Sequence, residues 1–307
     1  MILATLSPPP AAVTSPLQAR PHPWRWVSGA VLLLGLAWLG TVLARSPGLQ
    51  WSVVAQYLGS RTILLGLWAT LWLTCVSILL GFALGTGLAM ARLSRNPVLQ
   101  GAAWVYIWFF RSVPLLVLIL FAFNIAYLVP QISIGLSGRA PLLSMATNDL
   151  LTPMGAALLA LVLHEAAYAA EVVRGGILAV DQGQFEAAMA LGLSPRATMT
   201  RIILPQAMRA IIPAAGNQLI GLLKGTSMVS VIAVGDLLYS AQSVYSRTFQ
   251  VVPLLIVVTI WYVACTSLLS LGQYYIERHF AQGALRQLRP MAWQRLRARF
   301  GPASVEA

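Results

Sequence analysis

The chain has 307 residues, of which 58% are hydrophobic and only 9% charged, against about a quarter charged in an average soluble domain. With a mean hydropathy of +0.77, this excludes a soluble domain with a large core and indicates an all-α, polytopic membrane protein. The net charge of +12 rests almost wholly on arginine, Lys224 being the only lysine; in such a protein it belongs to loops facing the cytoplasm rather than to nucleic-acid binding.

Residues 1–26 are Pro-rich and lack helical periodicity, and they read as a disordered cytoplasmic tail. A first apolar run, about 27–44, reads as an extra N-terminal transmembrane helix. The rival is a cleaved signal peptide, which the long leading tail and the length of the run disfavour. The second span is expected at about Thr62–Leu93. Its Gly81-Phe-Ala-Leu-Gly85 spacing either lets another helix approach closely or reflects chance in a Gly-rich span. Next, Pro97–Phe110 is rich in Trp, Tyr and Phe and is followed by Arg111 and Pro114, a composition suited to the lipid–water interface. Residues 97–111 are therefore placed partly at the cytoplasmic surface and the third span at about Val113–Val129, with one long span containing Arg111 as the alternative. Residues 130–152 read as a polar loop. The fourth span is expected at about Pro153–Val173, the fifth at about Ala210–Val234 and the sixth at about Val251–Ile276, before a basic cytoplasmic tail over 281–307.

Six spans put both termini on one side. Fifteen of the twenty basic residues then fall on that side and only Arg45, Arg61, Arg139 and Arg247 on the other, with Lys224 inside a span. The positive-inside bias makes the topology N-in and C-in.

The two cysteines, Cys75 and Cys265, lie in apolar runs and form no pair or Cys/His cluster, so neither a metal site nor a disulfide framework is expected. No Gly-x-x-x-x-Gly-Lys-Ser/Thr loop occurs, so the chain lacks that route to ATP binding. Two spans carry unusual polar groups. In the fourth, His164, Glu165, Tyr168, Glu171 and Gly175 recur at helical spacing and are expected on one face. A charge at the bilayer centre costs roughly 3 kcal/mol, so such residues face the bundle interior or a water-filled cavity. Glu171, one turn from Arg174, is a candidate structural ion pair. Mid-span Glu165 is a substrate-pathway candidate or a structural hydrogen-bonding group. In the fifth span Asn217, Gly221, Lys224 and Met228 share a face, with Ser227 close by. Lys224 either pairs with a carboxylate of the fourth span or snorkels to an interface. His164, Glu165, Tyr168, Asn217, Lys224 and Ser227 form the candidate pathway set.

Between the fourth and fifth spans the sequence FEAAMALGLSPRATMTRIILP leaves the membrane pattern. Gln184–Leu191 favours helix, with Glu186 in the first turn where the dipole favours an acid. Gly192 suits a left-handed stop, Ser194 an N-cap and Pro195 the first helical position. A second helix, Arg196–Ile203, is expected to be interrupted by Pro205. Phe185, Met189 and Leu191 would present an apolar edge.

Glu186-Ala187-Ala188, Gly192, Ile202, Leu204 and Pro205 stand at the spacing of the EAA loop (184–206) of bacterial ABC-importer permeases, which this stretch resembles. The segments 109–117, 166–194 and 204–238 resemble the permeases for polar amino acids, and the likeness covers about 60–280. The resemblance implies a type I ABC-importer permease fold over that region, in a bacterial inner membrane. It implies Glu186, Ala187, Ala188, Gly192, Ile202, Leu204 and Pro205 as the coupling surface for a separate ATPase subunit. It also implies a periplasmic or extracellular solute-binding protein, a second permease (the same chain or another), a lipid environment, and ATP held by the partner with no cofactor on this chain. Two positions depart from the family's habit: Gly225 stands where Asp often follows the lysine, and Leu118 where Gln often follows PLLV. Glu165 is unusual for the family and favours a cationic or amine-bearing solute. An ATP-independent transporter or channel is the rival, although no inverted repeat is evident. A membrane enzyme would have to begin from His164 and Glu165.

Overall fold

The computed structural model describes residues 23–134 and 143–280. Most of the expected tails, 1–22 and 281–307, therefore lies outside the described residues. The described residues divide into two units, one ending at Gln50 and the other beginning at Trp51.

The first unit is one helix, α1 (Pro23–Arg45), followed by a short 3-10 turn. Residues 23–26, expected in the tail, already belong to this helix. Pro23 stands at its first position, where a missing N–H has no consequence.

The second unit is a helical bundle. Helix α2 (Trp51–Leu58) precedes α3 (Arg61–Arg92), and the Trp261 indole donates to the Leu58 carbonyl at 3.0 Å, tying the end of α2 to a later helix. The third span is not one straight helix. Helices α4 (Pro97–Ser112) and α5 (Leu115–Phe123) meet at a bend of 101°. Pro114 imposes it: the residue before a proline is driven out of the α region, and Val113 is extended, with φ −90° and ψ 131°. At nine residues α5 is too short to cross alone, which revises the expected Val113–Val129 span. The expected polar loop contains an antiparallel pair, β1 (Gln131–Ile134) and β2 (Leu143–Ala146), registered Gln131 to Ala146 and Ile134 to Leu143. A single turn of helix, α6 (Thr147–Leu150), follows; the Thr147 hydroxyl donates to the Val129 carbonyl and closes the base of this excursion.

Helix α7 (Pro153–Leu178) is the centre of the unit. Its Thr152 cap accepts from Gly155 N at 3.2 Å, and Ala156, Ala157, Ala160, Ala166, Ala167, Ala169 and Ala170 are buried along it. This row of small side chains lets α3 lie close. A Cβ added at Gly81 would sit 2.7 Å from Glu165 Cγ, and one added at Gly85 would sit 2.7 Å from the Ala166 carbonyl oxygen. The Gly81/Gly85 spacing is thus a packing seam and not chance. The Tyr106 hydroxyl, donating to the Leu163 carbonyl at 2.9 Å, fastens α4 to the same helix.

Beyond the polar excursion (α8, Gln182–Ala190; α9, Pro195–Ala197; a π turn, Thr198–Ile203), helix α10 runs Leu204–Gly225 and tightens into a 3-10 stretch, Thr226–Ile232. The chain breaks at Ala233, which is left-handed (φ 58°), and resumes as α11 (Leu237–Thr248) after a 43° bend. Asp236 caps α11 by accepting from Tyr239 N at 2.9 Å and Leu238 N at 3.1 Å, while Leu237 N donates to the Thr70 hydroxyl of α3 at 3.0 Å. Helix α12 (Val251–Phe280) completes the bundle.

Among the described residues four helices are long and apolar enough to cross a bilayer: Val27–Arg45 within α1, then α3, α7 and α12. Counting each bent pair as one span gives six. The fold class is all-α and polytopic, as the composition requires.

Candidate functional site

The polar excursion is built from caps. Asp181 accepts from Gly183 N at 2.8 Å and starts α8 at Gln182. This is two residues earlier than expected, and it moves Glu186 out of the first turn and into the second. The helix stops at Gly192, with φ +67°. Gly192 N donates to Met189 O at 2.9 Å and Leu193 N to Ala188 O at 3.1 Å, the paired bonds of a Schellman stop. Ser194 then caps the next turn, accepting from Ala197 N at 3.3 Å, with Pro195 at its first position.

The expected break at Pro205 does not occur. The ladder widens into the π turn Thr198–Ile203, closed by Leu204 N donating to Met199 O, and α10 begins at Leu204. Pro205 thus falls in a first turn, where its missing N–H is tolerated. Excursion and α10 form one stiff arm.

Apolar contacts anchor the arm to the bundle. Ile203 is fully buried among Ala89, Val173, Ile177, Ala207 and Ile211, with Phe185, Met199 and Ile202 packed against them. Phe185 therefore faces the bundle and does not form the open edge expected of it. Ala188 is buried, whereas Glu186 and Ala187 are exposed. Met189 and Leu191 are 68% and 77% exposed. A contact that the motif does not mark adds to the anchorage. The Gln206 amide donates to Gln184 Oε1 at 3.2 Å and to Ile202 O at 3.0 Å, clasping α8 to the root of α10. Two glutamines 22 residues apart carry no local signal of this clasp.

The polar residues of α7 divide between two surroundings. Successive helical residues are turned by about 100°, and that rotation separates Glu165 from His164 and Tyr168. Glu165 points into the α3–α7 seam, 3% exposed, with Oε1 lacking a hydrogen-bond partner. His164 packs against Tyr168 with ring centroids 4.8 Å apart and planes tilted by 36°, and the Arg111 guanidinium lies 5.3 Å from the centre of the Tyr168 ring. Arg174 binds Glu171, with Nη2 2.6 Å from Oε2 and Nε 3.2 Å from both carboxylate oxygens. The shared face expected for all five residues therefore holds without Glu165.

Asn217, Gly221, Lys224 and Met228 are all exposed on one open side of α10 and the turn after it, and the Ser227 hydroxyl donates to Lys224 O at 2.8 Å. Lys224 pairs with no carboxylate of α7. Among the described residues the only ion pair is Glu171 with Arg174. The candidate pathway set is thus distributed over three surroundings: a buried seam, an aromatic–arginine cleft and an open helix face.

Residues 81–282 match the family of binding-protein-dependent transport system inner membrane components. The chain is 42% identical to the arginine transport system permease protein of Corynebacterium glutamicum, over 93% of this chain and 91% of that one. It is 35% identical to the nopaline transport system permease protein of Agrobacterium fabrum, over 68% of this chain and 86% of that one. A solved amino acid ABC transporter with histidines superposes with a TM-score of 0.61 at 32% identity, over 71% of this chain and 94% of that one. With two thirds of its length inside the family pattern and an amino-acid permease matched almost end to end, the chain belongs to the inner membrane components of binding-protein-dependent transport systems.

Proposed function

We propose that this chain is the membrane-spanning permease of an ATP-driven amino-acid importer, working with separate ATPase subunits inside and a solute-binding protein outside. In this reading the arm from Gln182 to Pro205 is the contact for the ATPase. The observation that carries it is the construction of that arm: capped at both ends of α8, fixed through Ala188, Phe185 and Ile203, yet presenting Glu186, Met189 and Leu191 outward. Such an element can pass a rigid-body displacement into α10 and α7.

The solute is assigned as a cationic amino acid. The extended similarity to an arginine permease supports this, as does an acid at position 165. Glu165 is enclosed by α3 and α7, so it would meet a solute only when those helices part. The open face of α10 bearing Asn217 and Lys224 supports a surface lining the pathway or meeting a second permease, whether the same chain or another.

The test is uptake by vesicles containing the permease with its ATPase and binding protein. ATP-dependent arginine uptake, competed by lysine and not by neutral amino acids, is the expected outcome. Uptake driven by an ion gradient without the ATPase would refute the importer reading. Cationic and neutral uptake left equally intact in Glu165→Gln would remove Glu165 from substrate selection.

A further inference from the structure

Three arginines converge on one cleft of about 430 Å3 between α3, α4 and α7: Arg92, Arg111 and Arg174, joined by Trp104, Trp108 and Tyr168. Of the candidate pathway residues only Tyr168 lines this cleft, and the transport route proposed above, at Glu165 and the open face of α10, does not use it. Glu171 is the only acid lining it, and its carboxylate is taken by Arg174 at 2.6 Å. Among the described residues neither Arg92 nor Arg111 has a carboxylate partner. Arg92 Nε is buried without a hydrogen-bond partner, and Arg111 rests on the Tyr168 ring. The cleft thus carries two positive charges in excess, one on exposed Arg111 and one on half-buried Arg92, and such a concentration of one sign draws an anion.

The walls indicate which anion. Guanidinium groups present planar, paired donors suited to phosphate. Trp104 and Trp108 stack with centroids 6.2 Å apart and planes 11° apart, and are 51% and 56% exposed. The cleft is thus open on an apolar, aromatic side, as a site for a free inorganic ion need not be, and tryptophan favours the headgroup level of a bilayer. Arg92 is the last residue of α3, and its neighbours Ala89 and Leu93 pack in the same cluster as Phe185 and Ile203. The cleft therefore lies at the end of the bundle that carries the coupling arm. Basic pockets between membrane helices on the cytoplasmic side suit anionic headgroups.

We propose that this cleft binds the phosphate of an anionic phospholipid of the inner leaflet, with Arg92 and Arg111 as its ligands and the Trp104–Trp108 pair against the lipid's glycerol and upper acyl region. The assignment to the inner leaflet rests on the importer reading. Binding is measured without transport, so the two can fail separately.

The experiment uses the full chain, delipidated in a neutral detergent and titrated by native mass spectrometry with phosphatidylglycerol, with phosphatidylcholine of the same acyl chains, and with inorganic phosphate as competitor. Phosphatidylglycerol is expected to bind saturably and more tightly than phosphatidylcholine. Removing one arginine beside an anionic headgroup weakens attraction by about fivefold, so Arg92→Gln and Arg111→Gln should each show that loss, and the double variant about thirtyfold. Arg247→Gln, at the far side, should bind normally. If Arg111→Gln loses its helical signal, Arg111→Lys and Arg92→Gln replace it, the lysine retaining most of the binding. Equal binding of the two lipids, or phosphatidylglycerol binding untouched by the variants, would overturn the proposal. Displacement of the lipid by an equal concentration of inorganic phosphate would overturn it too, by identifying a plain anion site.

Discussion

Replacing Gly85 by alanine tests whether the α3–α7 seam is as tight as its geometry states. The new Cβ would lie 2.7 Å from Ala166 O, 2.7 Å from Ala169 Cβ and 2.9 Å from Ala170 N. Carbon atoms rest at about 3.5–4.0 Å, so the helices must part by roughly 1 Å. Two of the three obstacles are backbone atoms of α7, which cannot rotate aside. Overpacking of this kind costs about 1–3 kcal/mol, against a gain of about 1 kcal/mol for exchanging glycine for alanine in a helix. The expected result is a net loss of about 1 kcal/mol, more if the seam opens along its length. Gly87 is the internal control, because an added Cβ there meets nothing within 4 Å. Gly87→Ala should be neutral or stabilising by up to about 1 kcal/mol. Reversible unfolding in mixed micelles, followed by loss of helical signal, measures both. Gly85→Ala as stable as Gly87→Ala would refute the seam.

Two further substitutions probe the local devices. Asp236→Ala removes the cap of α11 and leaves two N–H groups without acceptors, for an expected loss of about 1 kcal/mol; Asp236→Asn should retain most of it, as read by thermal unfolding. Gly192→Ala forces a Cβ into the left-handed region at φ +67° at a cost of about 1–2 kcal/mol. Amide exchange over 182–193 should rise in that variant while α7 and α12 stay protected.

The helices of this fold were legible because lipid imposes a continuous apolar pattern on α3, α7 and α12 that no other environment requires. The excursion was legible because its caps, Ser194, Pro195 and Gly192, act within a few residues. What the pattern concealed depended on neighbours. Pro205 predicts a break in isolation, but the π turn before it turns a break into a helix start. Phe185 looks like part of an exposed apolar edge until Ile203 and Ile202 are brought beneath it. Glu165 and Tyr168 share a helical stripe on paper, yet the closeness of Gly81 selects the carboxyl for the seam and leaves the ring for Arg111. Residues 130–152 hid a β-pair, since short strands of mixed polarity give no period against a loop background. The Gln184–Gln206 clasp has no sequence signature, because either glutamine could bond many groups.

In the proposed importer the arm around α8 transmits ATP-driven motion into the bundle. Glu186 is exposed on it and caps neither end of α8, so Glu186→Lys reverses a charge at the proposed contact and leaves the buried residues unchanged. The decisive measurement is ATP-dependent arginine uptake by vesicles holding the complete transporter, wild type against Glu186→Lys, with the amount of inserted permease matched. Normal insertion is expected, with uptake reduced by about tenfold or more, since a like-charge clash at a contact costs several kcal/mol. Uptake equal to the wild type would contradict the coupling role of the arm.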